Sequence, residues 1–211
     1  MIDRNLRHLE RSTALGDRRS EVRLLRARAR AGQLRAQDLA LAAHLGHSVA
    51  CAALGLRAAE PPDDLTAWTL ELARWGRRPT AGAALAAASA VRPSFERWLR
   101  LQIGRGDALE EAFRASLAWW ESPRPRRRGR ARARWRRFLE RDAACLCGQG
   151  PAHLAAGAVA CAVRSVCDED FADSACAALR FAARCRSPRA VLAAVRALLL
   201  PGLFCPPTAV A

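Results

Sequence analysis

Ten arginines stand in the eighteen residues from Arg124 to Arg141, opposed by one acid, Glu140. A guanidinium is a permanent cation whose N–H donors form a fixed fork, matched to carboxylates and phosphates. Arg126, Arg127, Arg128, Arg130, Arg132, Arg134, Arg136, Arg137 and Arg141 are therefore the candidate partner-binding residues. The segment carries +9 of the formal +15. The stretch before it has 19 Arg and 14 acids, and the stretch after it has 6 Arg and 5 acids. The charge is local, and local charge can face a partner.

On a helix, Arg130, Arg134, Arg137 and Arg141 step by three and four residues, and Arg128, Arg132 and Arg136 step by four. The two stripes flank Trp135 and Phe138. Like charges at these spacings disfavour an isolated helix, and an uncompensated cost points to a partner. The plain alternative is a solvated outer helix. All 35 basic residues are Arg, with no Lys, no Tyr, one Asn (Asn5) and two Ile (Ile2, Ile103). Such usage reads as GC-rich bacterial coding, so arginine number alone says little and arginine clustering says more.

Other constellations are weaker. Cys145-x-Cys147 with Cys161, Cys167 and His153 lacks the paired spacing of zinc sites. Cys167, Cys176 and Cys185 step by nine, half a turn out each time. His44 and His47 read as favourable placement at a helix C-terminus. Asp168, Glu169, Asp170 and Asp173 read as acids at a helix start, without a calcium-loop pattern. No G-x-S-x-G, P-loop, H-E-x-x-H or Rossmann glycine pattern occurs. No catalytic, cofactor-binding or metal-binding residue is expected, and the chain reads as a non-enzyme. The eight Cys are expected to be reduced, mostly buried and to act as small hydrophobes.

The elements that must position these residues are helical from end to end, with no convincing two-residue alternation. Arg19–Ala31 is a helix closed by Gly32, and Ala36–Leu45 places Leu39, Ala42 and Ala43 on one face. Ser48 is expected to cap a short helix ending near Gly55. Glu60–Asp64 is a linker and helix start, before a stripe of Leu65, Trp68, Leu72 and Trp75. Thr80 is expected to cap an alanine-rich helix to Val91. Pro93 starts the next, with Ile103 facing inward and Gly104 ending it. Asp107 and Glu110 form a capping-box pattern ahead of Leu109, Phe113, Leu117 and Trp120. The arginine helix spans about 127–144, with Ala131, Trp135, Phe138 and Leu139 as its apolar stripe. Helices at about 152–166, 169–185 and 188–200 follow, then an irregular tail.

Nine or ten short amphipathic helices on short loops predict an all-α fold: a HEAT/TPR-like α-solenoid or a compact antiparallel helical bundle. The expected divisions are an N-terminal helical module over 1–59, central helices over 60–122, the arginine helix with the C-terminal helices over 123–200, and the tail 201–211. No run of about 18 apolar residues exists, so no membrane span is expected. The charged N-terminus has no apolar signal region, which favours the cytoplasm.

Ala14-Leu15-Gly16-Asp17, Arg23-Leu24-Leu25-Arg26, Ala31-Gly32-Gln33-Leu34 and Leu39 through His47 resemble an N-terminal helical module of uncharacterised proteins in GC-rich bacteria such as myxobacteria. Leu72-Ala73-Arg74-Trp75-Gly76 and Ala108-Leu109-Glu110-Glu111-Ala112 resemble all-helical immunity proteins associated with bacterial toxins. The resemblance implies an adaptor or immunity-like partner of another bacterial protein. The combined expectation is a protein–protein interaction module meeting an acidic protein surface. The alternative is a nucleic-acid-associated protein gripping phosphates through Arg124–Arg141.

Overall fold

A computed structural model describes residues 2–14, 16–57, 60, 62–102 and 106–204, with the side chains of 2–5 excepted. Ile103, Gly104 and the tail from Cys205 lie outside the described residues. The chain is all-α: twelve α-helices and two 3-10 turns, with no strand among the described residues.

The helices are α1 (Ile2–Ala14), α2 (Arg18–Arg30), α3 (Ala36–His44), α4 (Ser48–Ala53), α5 (Leu65–Leu72) and α6 (Arg77–Ala90). They continue with α7 (Arg92–Leu101), α8 (Asp107–Glu121), α9 (Pro125–Arg141), α10 (Pro151–Cys167), α11 (Phe171–Cys185) and α12 (Pro188–Phe204). The chain divides into two compact units, Met1–Pro62 with Leu200–Ala211, and Asp63–Leu199.

In the first unit, Asp17 caps α2, its carboxylate accepting from the backbone N–H groups of Arg19 and Ser20. Gly32, at φ +70°, turns the chain after α2 in the left-handed region that costs Gly nothing. Leu25, Leu34, Leu39, Ala42 and Val49 form the core, covered by Leu200, Leu203 and Phe204. Pro201 therefore lies inside α12, where an irregular tail was expected. Apolar packing of Leu200 and Leu203 on either side opposes the cost of its missing N–H. Ser48 does not cap α4: the N-cap is His47, whose Nδ1 accepts from the Ala50 N–H.

The second unit is built around α10, which packs against α6, α7, α8, α9 and α11. Alanine makes this possible. Ala81, Ala83, Ala84 and Ala87 on α6, and Ala155, Ala156, Ala158 and Ala162 on α10, are fully buried. Small side chains let helix backbones approach closely, and Trp98, Phe95, Phe113 and Phe138 fill the remaining volume. At Gly82 on α6 there is no room for a side chain: a Cβ there would meet the Trp120 indole at 2.3 Å.

Two expected caps in this unit do other work. α6 begins at Arg77, and the Thr80 hydroxyl donates back to the Gly76 carbonyl at 2.8 Å instead of capping. α8 has no side-chain cap, because its N-cap is Gly106; both carboxylate oxygens of buried Glu110 are taken by Arg92, at 2.8 Å each, and one also by Arg114 at 2.7 Å. On the same helix Trp119, rather than Trp120, is the buried indole.

Candidate partner-binding face

α9 starts with Pro125 in its first turn, where a missing N–H costs nothing, and Arg124 as an extended N-cap. Ala131, Trp135 and Phe138 are its buried face, with the two rings stacked 5.4 Å apart. Leu139, expected in that face, is instead 48% exposed. The helix ends at Arg141, and the expected last turn to Ala144 is replaced by a 3-10 turn over Ala143–Leu146.

The nine candidate arginines separate into two groups. Arg127, Arg128 and Arg132 turn inward. Arg127 Nη1 donates to the Ala118 carbonyl at 2.8 Å. Arg128 Nε donates to the Val166 carbonyl at 2.9 Å, and Arg132 Nε to the Cys167 carbonyl at 2.7 Å. Arg77 reaches the same place from the start of α6, donating to the carbonyls of Val166 and Asp168 and stacking over the Phe171 ring. Three guanidiniums thus clasp the end of α10. The last carbonyls of a helix lack N–H partners and carry the negative end of its dipole, so cations belong there. Crowding has a cost: burial first, then the neighbouring Arg128, push the Arg77 guanidinium below its ordinary pKa, while Glu169 opposes this.

The other six face water. Arg134 Nη1 pairs with Glu111 at 2.9 Å. Arg126, Arg130, Arg136, Arg137 and Arg141 are exposed and meet no acid or carbonyl among the described residues. Arg126, Arg130, Arg137 and Arg141 share one face, with Arg134 at its edge, over ~22 Å at 1.5 Å per residue. Arg136 lies toward the opposite edge.

Beside that edge is a feature the sequence reading missed, a trough of about 1000 Å³ between α9, α10 and α11. Trp135, Leu139 and Arg136 line it from α9 and Phe181 from α11. Its floor is α10, with Gly157, Ala160 and Cys161. The signal was present as His153, Gly157, Cys161 and Arg164, a stripe at four, four and three residues. It was masked because Cys and Ala in a helix read as core.

Burial keeps four of the thiols in the protonated form. Burial pushes Cys167 up to about 12, with Asp168 adding to it, so it stays protonated at neutral pH. Burial also raises Cys161, Cys176 and Cys185. Of the seven described cysteines three are buried, three half-buried and Cys147 exposed, fewer buried than expected. No group of three or more His, Cys, Asp or Glu that could hold a metal ion occurs among the described residues. No described helix is long and apolar enough to cross a membrane. No family model matches the chain, and neither the curated proteins nor the solved structures include a match.

Proposed function

We propose that this protein is a non-enzymatic helical binding module of the cytoplasm, and that its partner is a protein whose acidic surface meets the outer face of α9. The observation that carries this is the row Arg126, Arg130, Arg137 and Arg141, exposed and without an acid among the described residues, on a helix whose Arg127, Arg128, Arg132 and Arg134 are engaged within the protein. Like charges so placed repel, and an acidic partner would relieve that repulsion. The wrapping of sequence-distant helices about α10 favours the bundle over the solenoid as the scaffold. The absence of catalytic motifs and the protonated Cys167 thiol support binding rather than catalysis.

A protein partner is favoured over nucleic acid because the field is narrow. Asp63–Leu199 holds 24 Arg and 14 acids, and residues 124–141 supply 10 of those Arg and one of those acids. The rest of the unit is almost balanced, whereas nucleic-acid affinity grows with the number of phosphates neutralised. The resemblance to immunity proteins makes a bacterial toxin domain the first bait to try.

The test compares wild type with Arg126→Gln, Arg130→Gln, Arg137→Gln and Arg141→Gln combined. Wild type is expected to retain an acidic protein at low salt, and the quadruple variant to lose it. Binding to a random 20-base-pair duplex should be weak for both proteins. A variant that holds the same protein as wild type ends this reading. Strong duplex binding that is lost in the variant, with a steep salt dependence, replaces it with the nucleic-acid one.

A further inference from the structure

The trough on α10 has the form of a missing helix. α10 is covered by α6, α7, α8, α9 and α11, and the sector carrying His153, Gly157, Cys161 and Arg164 is left open between α9 and α11. Gly157, Ala160 and Cys161 line the trough from α10 and Leu139 from α9, and Phe181 of α11 lies beside Gly157, its ring 3.5 Å from where a Cβ there would stand. Along α10 the trough's lining residues run from His153 to Cys167, ~21 Å of helix, with Gly148 against His153 at one end and Cys167 buried at the other. Its volume, about 1000 Å³, reaches the upper end for small-ligand sites, about 300–1,000 Å³, yet it is open to solvent. A small ligand would be left half exposed there. An amphipathic helix lays its apolar face in such a groove and keeps its polar face in water.

Charge narrows the occupant further. Asp168 and Glu169, at one end, are already engaged by Arg164 at 3.1 Å and Arg132 at 3.3 Å. Arg136 on the trough's rim is exposed and has no acid among the described residues. A second copy of this chain, at a formal charge of +15, would bring the same cations against themselves.

We propose that the trough seats one amphipathic α-helix of the acidic partner, laid along α10. Its apolar side chains at i, i+3 or i+4, and i+7 fit between Leu139 and Phe181, and a carboxylate on its flank meets Arg136. This rests on the reading of α9 as the partner-binding face and adds the form of the segment that binds.

The experiment selects displayed peptides of about 16 residues and random sequence against the full chain. Survivors are expected to be helical when bound, with apolar residues at that spacing and Asp or Glu beside them. Leu139→Glu and Arg136→Glu, both at exposed positions, should each weaken survivors roughly tenfold, about 1.4 kcal/mol, with thermal unfolding unchanged. No survivors, extended survivors, or survivors without acids overturn the proposal. Survivors weakened by the α9 quadruple variant but indifferent to Leu139→Glu and Arg136→Glu overturn it while leaving the α9 reading intact. Survivors weakened by Leu139→Glu and indifferent to the quadruple variant support the trough and remove the wider α9 face.

Discussion

His47 shows how much one side chain can depend on protonation. Its Nδ1 accepts from the Ala50 N–H at 3.2 Å, which needs a lone pair, and its ring lies 4.8 Å from that of Phe204. Burial lowers its pKa below the ordinary 6.5, with Glu21 opposing. The folded state therefore takes up this proton less readily than the unfolded chain. Stability from His47 is complete above about pH 6.5 and is lost as pH falls toward the depressed folded value. His47→Asn keeps an N-cap without a titration. Urea unfolding at pH 7 and pH 5 should show a larger loss for wild type than for His47→Asn, and equal losses would refute the assignment. The sequence placed His47 at the end of a helix. It begins the next one because Leu45 and Gly46 turn the chain in two residues.

At the scale of the element, α9 is a helix with two uses, and substitution should separate them. Replacing Arg128 and Arg132 with Gln removes charge-assisted donors from the last carbonyls of α10. Such bonds contribute about 1.5–3 kcal/mol each when buried, and Arg132 is 41% exposed, so the pair should cost roughly 2 kcal/mol. Replacing Arg130 and Arg137 with Gln should leave stability within about 0.5 kcal/mol of wild type, or raise it, since it removes repulsion. Denaturant midpoints check both, and equal costs would mean that the split of the arginines is wrong. What the sequence made legible on α9 was local: Ala131, Trp135 and Phe138 as the buried stripe, Arg130 and Arg137 pointing out, although the helix starts at Pro125 and not at the expected Arg127. What it hid was long-range. The carbonyls that receive Arg128 and Arg132 lie 35 to 39 residues on, and no spacing within the helix encodes them. Glu110 misled for the same reason, its pattern fitting a cap while Arg92, 18 residues back, held it elsewhere.

For the whole molecule, a formal charge of +15 on 211 residues means that folding works against self-repulsion. Salt at about 0.15 M screens exposed charges beyond about 8 Å, so raising it from near zero should raise the thermal midpoint. Part of that rise should vanish in the Arg126, Arg130, Arg137 and Arg141 quadruple variant, which removes four neighbouring cations from the most highly charged segment. A rise of equal size in both proteins would mean that the repulsion is spread over the surface instead. The all-α class was legible at this scale from periodicity alone. The arrangement about α10 was not, because its alanines read equally well as any buried helix and do not say which neighbours they touch.

The clasp on α10 also has an order in time. Translation makes Arg77 first, then Arg128 and Arg132, and only later the carbonyls of Val166, Cys167 and Asp168 that receive them. For the synthesis of up to 91 residues these cations exist without their acceptors. A growing chain that stops short of Asp168 is therefore more adhesive than the finished one, open at three further guanidiniums to any anion within reach. Completing α10 ends that exposure, and the last-made turn of the helix quiets charges laid down much earlier.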